Sequence, residues 1–158
     1  MINETLYKGE MLMYNVIDVA KYIIFFCKKN GYSISNLKLQ KLLYFVQAQF
    51  LVTLGQPAFS ETIEAWDFGP VVPAAYHYFK IWGNAEIPAI FANDATKKIY
   101  ISDQKIMDGI LKLCACYSAS YLVDVTHNQS PWLDAYKKYC NNKIDNESIK
   151  EFFSKSEC

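Results

Sequence analysis

The 158-residue chain carries 16 lysines and 16 acidic residues and contains no arginine. It therefore lacks the basic excess that non-specific nucleic-acid binding requires, and it lacks the arginine forks that contact phosphate and guanine. We expect no direct nucleic-acid partner, and a chain of this length should form one domain that buries roughly 68–70% of its unfolded surface.

The first predicted helix runs from about Val16 to Lys29. Asn15 is a typical N-cap, and Asn30-Gly31 is a typical helix end. The preceding residues, 1–13, are polar and lack the apolar segment of a signal peptide. We expect them to form a flexible N-terminal arm ahead of a single domain over residues 14–158.

A central helix follows, capped by Ser35 or Asn36 and ended by Gly55. It is apolar on nearly every side, so we expect it to lie in the middle of the fold. Its polar residues fall on two edges, one with Lys38, Lys41, Gln49 and Thr53 and the other with Gln40, Tyr44 and Gln47. The second edge has two interpretations: it lines a partner groove, or its glutamines satisfy backbone groups of nearby loops such as the Gly69-Pro70 turn.

The segment from Glu61 to Trp66 alternates and carries β-forming residues, which predicts a short strand. Pro70 and Pro73 can begin a helix over Ala74 to Trp82. After a loop, Lys98 to Ile101 is the candidate second strand.

The C-terminal third is predicted to be helical. Ser102 should cap a helix from Asp103 to about Ala115, and Ser118 another to about Val125. Pro131 begins a third helix, and Asp145 or Asn146 begins the last. The residues of the last helix that should face inward are Ile149, Phe152 and Phe153. The pattern predicts a mainly α fold, a single compact domain of about six or seven helices with a small two-stranded β element.

The cysteines number five, an odd count in a chain without a signal sequence: Cys27, Cys114, Cys116, Cys140 and Cys158. Reduced thiols and a cytoplasmic location are therefore expected. No run approaches the roughly 20 apolar residues of a membrane span, so no membrane partner is expected. Cys27 and Cys114 lie on apolar helical faces and should be small core residues.

No catalytic or metal-binding pattern is visible, and we expect no cofactor. The glycines are scattered singly, which excludes a phosphate-binding glycine loop. Asp67-Phe68-Gly69 matches the kinase metal-binding tripeptide without the rest of that motif. The alternative function is a small hydrolase or transferase built on a Cys/His pair, with His77 or His127 beside a thiol, or on a Glu/His pair, and the sequence shows no site for either. An acidic edge, Glu61, Glu64 and Asp67, is expected to be solvated or salt-bridged.

Two sequence blocks resemble one known family. The first block reads Ile34-Ser-Asn-Leu-Lys-Leu-Gln-Lys-Leu-Leu-Tyr-Phe and continues as Phe59-Ser-Glu-Thr-Ile-Glu-Ala-Trp-Asp-Phe-Gly-Pro-Val-Val-Pro. The second reads Tyr117-Ser-Ala-Ser-Tyr-Leu, followed by Thr126-His-Asn-Gln-Ser-Pro-Trp. These blocks resemble the signature of the Panacea domain, the SocA-like or phage-associated GepA-like family.

The resemblance implies a mostly helical bacterial domain that is not an enzyme. It implies an antitoxin that neutralises a cognate toxin by direct binding, or an adaptor that delivers the toxin to a protease such as ClpXP. The GepA-like resemblance also permits a prophage-encoded accessory protein.

Aromatic residues make up 16% of the chain, which favours a recognition surface. Six of them cluster around the Gly-Pro turn, where they pack in the core or line a partner groove: Trp66, Phe68, Tyr76, Tyr78, Phe79 and Trp82. His127 has a structural alternative, stacking on Trp132 or bonding to carbonyls. The Lys28-Lys29 and Lys137-Lys138 pairs should be solvated helix faces. The predicted partner-binding residues are Gln40, Tyr44, Gln47, Glu64, Trp66, Asp67, Gly69, Pro70, Tyr76, His127 and Trp132, and the acidic ones would favour a basic toxin.

Overall fold

Seven α-helices form most of the computed structural model, which describes residues 13–155. In chain order they are α1 (Val16–Lys29), α2 (Asn36–Leu54), α3 (Pro73–Phe79), α4 (Ile101–Cys114), α5 (Ala119–His127), α6 (Ser130–Ala135) and α7 (Asn146–Lys155). The mainly α prediction is confirmed. The predicted N-terminal arm, apart from Met13, lies outside the described residues, as does Cys158.

Helix α2 is the centre of the fold, as its composition predicts. Every residue from Lys38 to Ala48 is buried, and α1, α4, α5 and α7 all pack against the helix. Its ends follow the predicted signals. The Ser35 side chain accepts a hydrogen bond from the Lys38 backbone, and Gly55 ends the helix in a left-handed conformation.

A three-stranded antiparallel sheet lies beside the helices, in the order β2-β1-β3. The strands are β1 (Ile63–Trp66), β2 (Gly69–Val71) and β3 (Asn142–Ile144). A two-residue turn joins β1 to β2, since Trp66 pairs with Gly69, and β3 pairs with the other edge of β1.

The prediction of a strand over Lys98 to Ile101 is wrong. Residues Ala95–Lys98 form a 3₁₀-helix, and Ile101 begins α4. The Gln104 amide donates to the carbonyls of Thr96 and Ile99, so a side chain satisfies groups that a strand would have offered to a neighbour. Both edges of β1 are meanwhile occupied by β2 and β3.

Three smaller predictions also need correction. Ser102 is not a cap but lies inside α4, whose N-cap is Tyr100. Helix α3 begins at Pro73 and is completed by a 3₁₀ turn over Lys80–Trp82. The lysines of the Lys137-Lys138 pair are exposed, but they lie in a turn after α6, closed by a hydrogen bond from the Cys140 backbone to the Lys137 carbonyl.

The last helix packs as predicted. Ile149 is buried, and Phe153 makes edge-on contacts with the rings of Tyr44 and Phe45 on α2. Phe152 is half-buried. Within residues 13–155 no single helix is long and apolar enough to cross a membrane; α4 and α5 meet that test only as a pair bent by 95°.

Candidate partner-binding cleft

The β1-β2 hairpin packs so closely on the helices that one position requires glycine. Gly69 has a φ of +100°, which L side chains rarely adopt. A Cβ atom there would lie 2.7 Å from Thr126 Oγ1 and 2.9 Å from Lys41 Cε. Gly69 and Pro70 are therefore buried residues that fix the hairpin rather than surface groups.

Lys41 lies fully buried beneath this hairpin. Its ammonium group donates a 2.7 Å hydrogen bond to the carbonyl of Pro70. Burial lowers the pKa of Lys41 to about 7, because desolvation disfavours the charged form. The sequence placed Lys41 on a polar edge, but the side chain contributes its amine to the hairpin from inside the fold.

The other polar edge of α2 also points inward. Gln40 Oε1 accepts a hydrogen bond from the Val72 backbone, and Gln47 Oε1 accepts from the backbones of Ala58 and Phe59. Their alternative interpretation, satisfying loop backbone groups, is confirmed.

Tyr44 is likewise buried, and its hydroxyl donates to Gln129 Oε1 at 2.8 Å. Burial raises the pKa of the Tyr44 phenol. Because Tyr44 and Gln47 are at most 1% exposed, they support the predicted surface from behind and do not reach it.

Three stacked rings clamp the outside of the hairpin turn. His127 stacks on Trp132 and Trp132 on Tyr136, with centroid separations of 4.2 and 4.4 Å. Each ring also makes a hydrogen bond to the turn. His127 Nε2 lies 3.0 Å from the Asp67 carbonyl, Trp132 Nε1 donates to the Trp66 carbonyl, and the Tyr136 hydroxyl donates to the Asp67 carboxylate at 2.5 Å. The structural alternative for His127 is confirmed.

The acidic edge is neither free nor salt-bridged. Glu61 accepts from the Val16 backbone at the start of α1, and Glu64 accepts from the Trp66 indole at 2.8 Å. Asp67 accepts from Tyr136, which raises the pKa of that phenol. Among the described residues, none of the three carboxylates forms an ion pair. The three carboxylates therefore hold the hairpin and the start of α1 in place through hydrogen bonds within the chain.

A cleft of about 610 Å³ opens over the hairpin. Trp66 and Tyr76 pack edge-on at 5.0 Å and contribute its aromatic wall. Two further rings stand at its margins, Phe68 at the hairpin tip, 65% exposed, and Tyr139, 92% exposed. The structure thus brings Trp66, Asp67 and Tyr76 together at one surface, with Gln40 at its base.

Sequence reasoning missed several contributors to this site, among them Tyr136, Gln129 and Tyr139. Tyr136 could have been found, because it follows Trp132 by four positions and helical spacing places both rings on one side. Gln129 lies within the quoted second block but was not singled out. Tyr139 carries no sequence signal: it has a φ of +65°, in the region that glycine and asparagine favour.

The thiol alternative receives no support from the buried cysteines. Burial raises the pKa of Cys27 to about 11 and that of Cys114 to about 12, so both thiols stay protonated at neutral pH. Both are core residues, as predicted. Across residues 13–155, no group of three or more His, Cys, Asp or Glu side chains is placed to hold a metal ion.

Comparison with known proteins agrees with the two sequence blocks. The family model described as "Antitoxin SocA-like, Panacea domain" matches residues 39–133, more than half of the chain. The chain belongs to the SocA-like Panacea domain family. It is also similar to Antitoxin SocA of Caulobacter vibrioides (strain NA1000 / CB15N), with 42% identity over 113 residues. That match covers 63% of this chain and 58% of the relative's length. No solved structure matches.

The matched residues contain most of the site but not all of it. They include α2 from Leu39 onward, the hairpin, and the rings of His127 and Trp132. Tyr136 and Tyr139, which also line the cleft, lie beyond residue 133.

Proposed function

We propose that this chain is an antitoxin that neutralises a cognate toxin by binding it directly, with the cleft over the β1-β2 hairpin as the contact surface. Membership of the SocA-like family supports the antitoxin role. The observation that carries the choice of surface is the exposed aromatic cleft formed by Trp66, Phe68, Tyr76 and Tyr139.

The chemistry of the cleft suits protein recognition. Tryptophan and tyrosine bury a large area at low conformational cost, and interface hot spots concentrate in such residues. Trp66 is also held firmly, because Glu64 accepts from its indole and Trp132 donates to its backbone carbonyl. A surface ordered before binding loses little entropy when it meets its partner.

Delivery of the toxin to a protease extends the same proposal. The toxin must first be bound, so the cleft would serve both a simple antitoxin and an adaptor. The two roles differ in outcome, because an adaptor shortens the lifetime of the toxin whereas simple neutralisation leaves the toxin level unchanged.

The experiment is co-expression with the product of the adjacent reading frame. We expect that product to arrest growth alone and to be harmless when this chain is present. A pull-down should recover the two proteins together, and the toxin half-life should be compared with and without the chain. A toxic neighbour that this chain neither binds nor silences would refute the antitoxin proposal.

A further inference from the structure

We infer that the cleft receives an acidic segment of the partner, anchored by an apolar or aromatic side chain. This inference rests on the proposed function and names the chemistry of the toxin segment. It replaces the expectation of a basic toxin, which the acidic edge suggested in the sequence.

The carboxylates beside the cleft are already engaged within the chain. Asp67 accepts from the Tyr136 hydroxyl at 2.5 Å, and Glu64 accepts from the Trp66 indole at 2.8 Å. Each has therefore given part of its hydrogen-bonding capacity to the cleft wall. A basic partner would have to compete with these bonds for the same oxygens.

The lysines beside the cleft differ from these carboxylates, because among the described residues they are bonded to no charged partner. Lys80 lines the cleft, and the Lys138 ammonium lies 5.2 Å from the ring centroid of Tyr139, which also lines it. Lys143 is paired directly opposite Glu64 in the sheet, which places it on the same face as Trp66. Among residues 13–155, none of these lysines forms an ion pair. They are available to an acidic segment that enters the cleft.

The remaining lining groups suit a peptide with an apolar anchor. Asn84 and Asn141 are exposed amides that can donate to and accept from an extended backbone. The cleft volume of about 610 Å³ is within the range of ligand-binding pockets, roughly 300–1,000 Å³. Trp66 and Tyr76 supply the apolar wall against which one side chain can pack.

Tyr139 provides an independent indication. It is held at a φ of +65° and is 92% exposed, so its ring contributes little packing to the fold that carries it. A left-handed conformation costs a residue other than glycine or asparagine roughly 1–2 kcal/mol. Such a residue, set at the margin of the cleft beside Lys138, is placed to contact a partner.

The test measures, by calorimetry, how tightly two double variants of this chain bind the full-length product of the adjacent reading frame. Lys80→Glu with Lys138→Glu should weaken binding about tenfold or more, because two favourable exposed charge contacts become repulsive. The matched control is Lys105→Glu with Lys112→Glu, two exposed lysines on α4 whose replacement makes the same charge change. The control should bind like wild type. Raising salt should weaken wild-type binding more than it weakens the cleft variant.

Overlapping 15-residue peptides of the same product then locate the segment. We expect the strongest peptide to be net acidic, to contain a large apolar residue, and to lose binding with Trp66→Ala. The inference is overturned if wild type binds the whole product but the two lysine pairs behave alike, if no peptide binds, or if the best peptide is neutral or basic. It is also overturned if a twelve-nucleotide oligothymidine binds with the same dependence on Lys80 and Lys138, since the cleft would then recognise single-stranded nucleic acid. Failure of wild type to bind the whole product would instead refute the antitoxin proposal on which the inference rests.

Discussion

Replacing Gly69 with alanine tests how tightly the hairpin is seated on α2. Two separate costs are expected at this position. The φ of +100° strains any L side chain, which costs about 1–3 kcal/mol. The new Cβ would also lie 2.7 Å from Thr126 Oγ1 and 2.9 Å from Lys41 Cε, and overpacking of this kind costs about 1–3 kcal/mol.

The neighbours of that Cβ have little freedom to move. Thr126 Oγ1 donates to the Val123 carbonyl, and the end of Lys41 is held by its bond to Pro70. Gly69→Ala should therefore lower the free energy of unfolding by about 2–6 kcal/mol. Gly69→Val should cost more, because its two additional methyl groups meet the same atoms.

Two other glycines separate the strain from the clash. Gly31 has a φ of +73° with open space where its Cβ would be, so Gly31→Ala should show strain alone. Gly109 lies within α4 with open space and without a positive φ, so Gly109→Ala should stabilise the protein by roughly 0.5–1 kcal/mol. Urea unfolding followed by circular dichroism measures all four variants. Equal losses of stability in Gly69→Ala and Gly31→Ala would show that the close approach to Lys41 and Thr126 costs nothing. A wild-type unfolding midpoint for Gly69→Ala would refute both the backbone strain and the clash.

Three further predictions concern a buried amine, a strained tyrosine and the thiols. The folded-state pKa of Lys41 is about 7 and its ordinary value is 10.5, so the unfolded state binds more protons between those pH values. Stability should therefore rise with pH in that range, by a slope approaching about 1.4 kcal/mol per pH unit, and Lys41→Met should lack this rise. Equal pH profiles of the two proteins in urea unfolding would contradict the burial of the amine. Tyr139→Asn should raise the free energy of unfolding by up to about 1 kcal/mol, because asparagine tolerates a φ of +65°, and the same substitution should weaken toxin binding. A variant that is less stable yet binds the toxin normally would show that the ring stabilises the fold instead. Replacing all five cysteines, with alanine at the buried Cys27 and Cys114 and serine elsewhere, should leave toxin rescue intact, and loss of rescue in a folded variant would restore a thiol mechanism.

Local signals in the sequence predicted the helices well. Asn15 and Ser35 both cap as expected, and Gly55 ends α2, because capping depends on groups within a few residues. The third strand was out of reach of such signals. Asn142–Ile144 pairs with a strand about eighty residues earlier in the chain, and only the folded chain brings them together. The false strand near Ile99 has a different origin: Gln104, only five positions later, donates to the Ile99 carbonyl, and residue type alone does not predict that local contact.

Only part of the candidate site could be expected from the sequence, because the burial of a side chain depends on contacts between distant segments. Aromatic composition pointed to the surface around Trp66 and Tyr76. Periodicity alone could not show that Lys38 and Lys41 on one polar edge of α2, and the whole of the other edge, are buried. Lys41 illustrates the limit: its place on an edge is a helical property, but its burial depends on the hairpin that covers it. Tyr139 joins the cleft through a turn conformation that its residue type does not favour.

The central claim is that the aromatic cleft binds the toxin, and the affinity of cleft variants tests it most directly. Calorimetry should compare wild type with Trp66→Ala and with Phe68→Ala combined with Tyr139→Ala, two exposed rings whose loss should leave the fold intact. The matched control is Tyr117→Ala with Tyr121→Ala, an exposed stacked pair outside the cleft. The cleft variants should bind at least about thirtyfold more weakly, corresponding to hot-spot losses of about 2 kcal/mol or more, and the control should bind like wild type. Wild-type affinity in the folded cleft variants, with a loss in the tyrosine control, would place the interface at the α4–α5 corner instead.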